Sequence, residues 1–323
     1  MIIYVTHLGS SSVTDGMVES SSNSFSCTLE NSHGVVRKKF TSSRRHHSPS
    51  RFPLTEGSPT DFFEELSAMK NPVENRWIRR FRDGDECRTK LLCFPHAGAG
   101  ASTYRTWPAG LPSDVGVMAV RYPGRDDRFD DPYSPGLEPL ADEIADALGD
   151  LAQTRLVLFG HCMGASVAHE VALRLQDRDC PPAALCVSAR RPPQALAGRR
   201  TDYGTDEDII AHAVSLDANS AVVFDDPDLR EAMLPAVLAD YHLTAGYSGG
   251  QRPPLSCPIY GYAGSDDPEL SPEQMHGWAD MTHDAFQFQV LPGGHFYLKY
   301  EEAMLLADLC DVLNLAKLGT MTA

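Results

Sequence analysis

A cysteine stands at the centre of the pentapeptide Gly160-His-Cys-Met-Gly164, directly after the apolar run 155–159. The pattern matches the G-x-S-x-G nucleophile elbow, a sharp turn from a strand into a helix that lifts one side chain out of the backbone, with cysteine replacing serine. The helix predicted from 163 to about 176 directs its amino end at Cys162, and such an end stabilises an anion. We therefore predict that Cys162 is a nucleophile that reacts as a thiolate.

An aspartate and a histidine that follow later apolar runs can complete a catalytic triad. A nucleophile elbow needs a base and an orienting acid, which follow it in the order acid, then base. Asp267 comes after the run 257–262, and His295 comes after the run 286–291 and two glycines. We predict that Cys162 attacks, that His295 takes and returns the proton, and that Asp267 holds the imidazole tautomer. Asp266 is the alternative acid.

Two backbone amides are expected to stabilise the oxyanion that forms during attack. In this type of site one amide follows the nucleophile and the other lies in the loop after an early strand. These positions correspond to Met163 and to Ala97 in the segment 95–100. We expect His96 to shape that loop and His161 to pack within the elbow, rather than to transfer protons.

Strand-like and helical patterns alternate from residue 89 onwards, and this alternation must position the reactive residues. Strands are predicted at 90–94, 115–120, 155–159, 183–188, 257–262 and 286–291, and helices at 140–151, 163–176, 272–281 and 296–317. Alternating elements with apolar strands predict an α/β fold, with a mostly parallel sheet covered by helices on both faces.

The segment 191–250 interrupts this alternation without a clear strand signal. Thr205-Asp-Glu-Asp208 resembles a capping box, with aspartate in place of the usual glutamate, and 228–241 is a second helical stretch. Helices inserted between late strands of such a sheet can cover the active site. We predict a helical lid at about 191–250, and the alternative is that these helices only add packing.

The composition of the 323-residue chain argues against several classes of function. A net charge of −16 disfavours nonspecific binding to nucleic acid or to an anionic membrane surface. No apolar stretch approaches the ~20 residues of a membrane helix, and the first residues lack the charged region of a secretory signal. None of the eight cysteines lies in a C-x-x-C pair, which argues against zinc and redox motifs. We predict a cytoplasmic location, where thiols stay reduced.

Residues 1–68 differ in composition from the rest of the chain. Serine clusters recur, a basic stretch covers about 37–51, and neither helical nor strand periodicity is present. Such a segment buries too little apolar surface to order itself. We therefore predict a disordered, serine-rich and basic extension at 1–68 and a catalytic domain at 69–323.

Six motifs between residues 77 and 315 resemble, in order, the type II thioesterases of polyketide and non-ribosomal peptide synthesis. They are Phe94-Pro-His-Ala-Gly-Ala-Gly100, Arg121-Tyr-Pro-Gly-Arg-Asp-Asp-Arg128, Gly160-His-Cys-Met-Gly-Ala165, Ser188-Ala-Arg-Arg-Pro-Pro193, Leu234-Pro-Ala-Val-Leu-Ala-Asp240 and Pro292-Gly-Gly-His-Phe296. The resemblance implies an α/β-hydrolase with a mobile lid. It further implies that acyl groups are hydrolysed from the phosphopantetheine arms of acyl or peptidyl carrier proteins. We expect a monomer that needs no cofactor of its own.

Two residues depart from the family pattern. The usual nucleophile is serine, where this chain has Cys162, and an arginine usually stands where this chain has Leu238. An acyl-cysteine is itself a thioester, so acylation by a carrier thioester is nearly reversible and a second thiol can collect the acyl group. An acyl or aminoacyl transferase that moves groups between carriers through Cys162 is therefore the alternative. A non-catalytic carrier-binding protein, or an artificial serine-to-cysteine variant, is a third reading.

A carrier protein with an acidic helix needs a local basic surface on this acidic chain. Arg121, Arg125 and Arg128 follow the predicted strand 115–120. We expect them to emerge at the active-site edge and to bind the carrier. The alternative is that they hold their own loop through Asp126, Asp127 or Asp130.

Overall fold

The computed structural model describes residues 26–31, 34–39, 75–196 and 203–318 of the chain. The strands are β1 (Ser26–Asn31), β2 (Gly34–Lys39), β3 (Ile78–Arg82), β4 (Thr89–Phe94), β5 (Val115–Val120), β6 (Arg155–His161), β7 (Ala184–Ser188), β8 (Ile259–Gly264) and β9 (Phe286–Leu291). The α-helices are α1 (Leu137–Leu148), α2 (Met163–Asp177), α3 (Pro193–Leu196), α4 (Asp206–Leu216), α5 (Ala221–Asp225), α6 (Pro227–Gly246), α7 (Tyr297–Tyr300) and α8 (Glu302–Leu318).

One sheet of seven strands, in the order β3-β5-β4-β6-β7-β8-β9, carries the catalytic domain. All neighbours pair in parallel except β3 and β5, which are antiparallel. The mostly parallel α/β sheet predicted from the alternation is therefore confirmed. Strand β3 was not predicted, because its sequence Ile-Arg-Arg-Phe-Arg has no apolar run. An edge strand does not need such a run, since only part of it is covered.

Helices cover both faces of this sheet because side chains alternate along each strand. In β4, Leu92 packs into the apolar cluster that includes Ile144 of α1 and Val171 of α2. Its neighbour Leu91 packs into the opposite cluster, which includes Leu309 of α8. The two clusters together bury the central strands, whose carboxyl ends then carry the loops of the candidate site.

The insertion between β7 and β8 is helical, and no strand is found in the part of it that the structure describes, 191–196 and 203–250. The predicted capping box is confirmed at the start of α4. There the Asp208 N–H donates to Thr205 Oγ1 at 3.3 Å, and the Thr205 N–H donates to Asp208 Oδ2 at 2.9 Å. Residues of α4, α5 and α6 form a small apolar cluster that also contacts Ala97. The insertion therefore lies against the loop that follows β4.

Three predicted elements differ from those observed. The segment 272–281 forms a 3-10 helix rather than an α-helix, and the terminal helix is divided at Glu301 into α7 and α8. In the extension 1–68, where the sequence shows no strand periodicity, β1 and β2 pair antiparallel, with Leu29 opposite Val36. Their β-branched residues favour extended backbone, a preference that a search for periodicity misses. The rest of 1–68 lies outside the described residues.

Among the helices that the structure describes, none has both the length and the apolar character needed to span a bilayer.

Candidate active site

Cys162 occupies a strained turn between β6 and α2. Its φ of 54° and ψ of −120° lie in a region that non-glycine residues rarely adopt, and such a conformation costs on the order of 1–3 kcal/mol. The backbone on the neighbouring strand holds it there, since the Cys162 N–H donates to the Ser188 carbonyl at 2.9 Å. The predicted elbow is therefore present, and its geometry projects the thiol from the carboxyl end of the central strand.

The two glycines of the elbow allow close contacts of the backbone. A Cβ atom on Gly160 would clash with the Gly164 carbonyl, and one on Gly164 would clash with the Phe94 carbonyl and lie 2.6 Å from the Pro95 carbonyl. The start of α2 therefore packs directly against the end of β4. This contact brings the loop 95–100, with Ala97, to the elbow.

His295 and Asp267 lie together after the two strands that precede them. His295 Nδ1 and Asp267 Oδ2 are hydrogen bonded at 2.8 Å, and their side chains are 3% and 0% exposed. Asp267 Oδ1 accepts the Glu269 N–H at 2.9 Å, so both carboxylate oxygens are held. The alternative acid, Asp266, instead accepts the Ser265 hydroxyl at 2.8 Å. The structure thus brings Asp267, and not Asp266, to the histidine.

The thiol of Cys162 and the imidazole of His295 influence each other's charge. Burial raises the pKa of Cys162, but attraction to His295 outweighs it, with help from Arg190 and the Met163 N–H, so the net pKa is lowered. Burial lowers the pKa of His295, but Cys162 and Asp267 outweigh it and raise the pKa to about 10. Among the described residues, the buried His295 Nε2 has no partner at ordinary hydrogen-bond distance and angle, so its contact with the thiol is looser than the bond to Asp267. A thiolate–imidazolium pair is the charge state that this arrangement favours.

Arg190 is a site residue that we did not single out from the sequence. Its Nε donates to Ser166 Oγ at 2.8 Å, and its carbonyl accepts the Trp278 Nε1–H at 2.8 Å. Ser166 lies one helical turn after Cys162 on α2, which places the guanidinium on the nucleophile's side of the helix. The only sequence signal was its place in the motif 188–193, at the carboxyl end of a strand next to the elbow strand.

Replacing Arg190 with methionine is expected to raise the pKa of Cys162, because a cation that stabilises the thiolate is lost. The rate of Cys162 alkylation by iodoacetamide should then reach its midpoint at higher pH than in the wild type. Arg178→Met is the matched control, because Arg178 pairs with Asp146 on the surface at the far end of α2. An unchanged midpoint in Arg190→Met would remove Arg190 from the electrostatics of the site.

The two residues predicted to supply oxyanion donors lie at the start of α2 and in the loop after β4. The Met163 N–H at the start of α2 points to the Cys162 sulfur and lowers the pKa of Cys162. Ala97 lies in the loop after β4, between His96 and Gly98, and packs against the apolar cluster of the insertion. Gly98 donates its N–H to Asp240 Oδ2 at 2.7 Å, so the loop is fixed from the side of α6.

The two other histidines of the predicted motifs, His96 and His161, contact neighbouring rings and polar groups near the elbow. Burial lowers the pKa of His96 to about 3 and holds the pKa of His161 well below its ordinary value. The His96 ring lies 4.7 Å from the ring of Phe296, centroid to centroid. His161 Nδ1 is hydrogen bonded to Ser188 Oγ at 2.8 Å. Burial thus disfavours the protonated form of both imidazoles.

A histidine of the insertion, His212, is hydrogen bonded to the loop that follows β8 and holds Asp267. On α4, His212 is hydrogen bonded through Nδ1 to the Tyr241 hydroxyl at 2.9 Å and through Nε2 to Glu269 Oε1 at 3.1 Å. Glu269 is the residue whose N–H is bound by Asp267. Helices α4 and α6 therefore contact both the loop 95–100 after β4 and the loop after β8 that holds Asp267 and Glu269.

The expected carrier-binding patch of three arginines is wrong, because their side chains are buried. Arg121, Arg125 and Arg128 are 5%, 6% and 8% exposed. Their carboxylate partners are, in the same order, Asp127, Asp240 and Asp131. The alternative, that they hold their own loop, is right for Arg121. Arg128 also pairs locally, but with Asp131 and not with a carboxylate named in advance, whereas Arg125 pairs across the fold with α6. A buried guanidinium needs such a partner, since an unpaired charge there would cost several kcal/mol.

Comparison with known proteins gives the same family at the level of sequence and of structure. A family model described as a thioesterase domain matches residues 89–311. A probable cadicidin biosynthesis thioesterase of Streptomyces griseus is 35% identical over 239 residues, which are 74% of this chain and 66% of that protein. Phenyloxazoline synthase MbtB of Mycobacterium tuberculosis is 36% identical over 247 residues, which are 76% of this chain and 17% of the synthase. The chain thus spans just under two thirds of the first relative and a small part of the second.

Among solved structures, the type II thioesterase BorB from the borrelidin biosynthetic cluster aligns with a TM-score of 0.66 at 32% identity. The alignment covers 74% of this chain and 97% of that one. The resemblance stated from the motifs is confirmed by these matches. The chain belongs to the thioesterase domain family and has the α/β-hydrolase fold.

Proposed function

We propose that this chain hydrolyses thioesters of acyl groups carried on the phosphopantetheine arms of carrier proteins, through Cys162, His295 and Asp267. The observation that carries the proposal is the His295–Asp267 hydrogen bond of 2.8 Å beside a thiol whose pKa is lowered in the elbow. A thioesterase needs a nucleophile, a proton carrier and an oxyanion site within reach of one carbonyl. Ala97 and Met163 supply the proposed oxyanion donors.

Acylation begins from the thiolate–imidazolium pair. The Cys162 thiolate attacks the thioester carbonyl carbon, and the oxyanion of the tetrahedral intermediate accepts the N–H groups of Ala97 and Met163. The carbon–sulfur bond to the pantetheine then breaks, and the His295 imidazolium donates its proton to the departing sulfur. The products of this half-reaction are acyl-Cys162 and the free carrier thiol, and His295 is left neutral.

Deacylation depends on the change in charge at Cys162. Once the sulfur is acylated, it no longer carries the negative charge that raises the pKa of His295, whereas burial still lowers that pKa. A neutral imidazole can then accept a proton from water as the water attacks the acyl carbon. Collapse of the second intermediate breaks the bond to Cys162 and releases the acid. The thiolate and the imidazolium are thereby restored.

Several further features of the proposal follow from this reaction and from the relatives. The reaction uses side chains, backbone amides and water, so it requires no cofactor bound to this chain. The names of the relatives refer to biosynthesis, which supports substrates held on acyl or peptidyl carrier proteins of such a pathway. We place the activity in the cytoplasm and expect a monomer, with the helical insertion at 191–250 serving as the lid.

A carrier-bound acyl group is expected to be a better substrate than the same acyl group on a short thiol. Contacts with the carrier and the pantetheine arm, remote from the reacting carbonyl, can contribute to stabilising the transition state. We expect kcat/KM to be at least about tenfold higher for the acyl-carrier than for the N-acetylcysteamine thioester. Equal values would argue that the substrate is a small thioester rather than a carrier.

A transferase is the second candidate, and the identity of the nucleophile favours it. Because acyl-Cys162 is a thioester like the substrate, a second carrier thiol can take the acyl group in place of water. Mass spectrometry of the enzyme, an acyl-carrier and a second empty carrier separates the candidates: free acid supports hydrolysis, and acyl on the second carrier supports transfer. If neither product forms and no acyl-enzyme is detected, the result would support a non-catalytic carrier-binding protein.

A further inference from the structure

A buried carboxylate on the lid helix α6 accepts a hydrogen bond from the backbone of the loop 95–100, which holds Ala97. Asp240 is 1% exposed, and its Oδ2 accepts the Gly98 N–H at 2.7 Å. Gly98 directly follows Ala97, the proposed oxyanion donor. The carboxylate therefore lies one peptide unit away from the amide that must point at the reacting carbonyl.

Arg125 completes this arrangement from the opposite side. Its two terminal nitrogens bind the two Asp240 oxygens at 2.5 and 2.8 Å, and one of them also lies 3.3 Å from the Ala99 carbonyl. The ion pair thus contacts the backbone of both residues that follow Ala97. The pairing also neutralises Asp240, whose negative charge would otherwise repel a developing oxyanion nearby.

The backbone of the loop 95–100 lies in close contact with α6. Gly98 has a φ of +75°, and a Cβ atom built on it would lie 2.7 Å from Val237 Cγ2 on α6. Ala97 packs against the apolar cluster of the insertion, to which Val237 and Tyr241 of α6 belong. The loop is consequently held by side chains of α6 and not only by its own turn.

We propose that Asp240 is a positioning residue that aligns the Ala97 N–H for the oxyanion, with Arg125 as its neutralising partner. This inference rests on the proposed function. Preorganised donors stabilise an oxyanion because they need no reorientation during the reaction. Loss of the Asp240–Gly98 bond frees the loop to turn its amide away, so the transition state for attack loses stabilisation. Formation of the thiolate does not depend on that amide.

Two double variants isolate the hydrogen bond from the buried charge. Arg125→Met with Asp240→Asn removes both charges but keeps an amide oxygen that can accept the Gly98 N–H. Arg125→Met with Asp240→Leu removes both charges and the acceptor. Neither variant leaves an unpaired buried ion, and replacement of a whole buried pair is often tolerated. Arg125→Met with Asp240→Ala, which also lacks the acceptor but is smaller than leucine, is the second test if the leucine variant fails to fold.

The measured quantities are the rate of Cys162 acylation by an N-acetylcysteamine thioester, followed by intact mass, and the rate of Cys162 alkylation by iodoacetamide. Acylation passes through an oxyanion whether hydrolysis or transfer follows, whereas alkylation forms none. We expect the leucine double variant to acylate about tenfold to a hundredfold more slowly than the asparagine double variant. The loss should fall on kcat more than on KM, and the two alkylation rates should agree.

Glu170→Gln is the control for the loss of a buried, ion-paired carboxylate elsewhere in the fold. Glu170 is also a buried carboxylate, which accepts the hydroxyl of Tyr247 just after α6 at 2.8 Å and pairs with Arg174 and Arg252. This variant should lose stability without a matching loss of acylation rate. Equal acylation by the two double variants, or equal slowing of acylation in Glu170→Gln and in the leucine double variant, would overturn the inference. Absence of acylation in the wild type would instead refute the proposed function.

Discussion

Replacing Cys162 with alanine is expected to abolish acyl-enzyme formation. The alanine side chain has no nucleophilic atom that can bond to the carbonyl carbon. Intact mass spectrometry after mixing with an acyl-carrier should show the acyl adduct on the wild type and none on the variant. Cys180→Ala is the matched control, because Cys180 is likewise half-buried but hydrogen bonds to the Leu175 carbonyl at 3.3 Å, at the other end of α2.

The same thiol should be the first to react with iodoacetamide at neutral pH. Its pKa is lowered, whereas burial raises the pKa of Cys93 well above its ordinary value and that of Cys257 to about 12. The thiolate is the reactive form, so labelling should follow this order. Uniform labelling of the cysteines, or an alanine variant that still forms an acyl-enzyme, would show that Cys162 is not the nucleophile.

Replacing His295 with alanine is expected to lower steady-state turnover by roughly 10³-fold or more, since both proton transfers lose their carrier. Asp267→Asn should cause a smaller loss, because the imidazole remains but its orientation is no longer held. Asp266→Asn is the control within the same loop. A severe loss in Asp266→Asn with a mild one in Asp267→Asn would reverse the assignment of the acid.

The pH dependence of alkylation gives His295→Ala a second, independent readout. In the wild type the thiolate is stabilised by the imidazolium, so alkylation should have its midpoint below the ordinary thiol pKa of about 8.5. The pair should persist up to the pKa of His295, about 10. In the alanine variant the attraction is lost while burial still raises the pKa of Cys162, so the midpoint should move to higher pH. A midpoint that does not move would mean that the two groups do not share the charge as proposed.

Local sequence was sufficient for the elements that make the nucleophile. A short apolar run, a G-x-C-x-G turn and a helical pattern predict strand β6, the turn and helix α2, because each depends on residues within a few positions of itself. The parallel sheet and the order of Cys162, Asp267 and His295 also followed from patterns along the chain. Asp267 was predicted with Asp266 as the alternative, and the tertiary structure decided between them, since the two are adjacent and differ in which way each carboxylate turns.

The partners of charged groups were decided by the tertiary structure. The sequence alone indicated three arginines after a strand, which suggested an exposed basic surface, but Arg125 is buried because Asp240 meets it from a helix 115 positions later. Nothing in the local sequence pattern predicts this ion pair, because it depends on how the insertion packs against the loop 95–100. Arg190 reaches the nucleophile in the same way, from a neighbouring parallel strand. Residue types and spacing therefore determine which chemistry the chain can perform, whereas burial and contacts between distant segments determine the charge state and alignment of its groups.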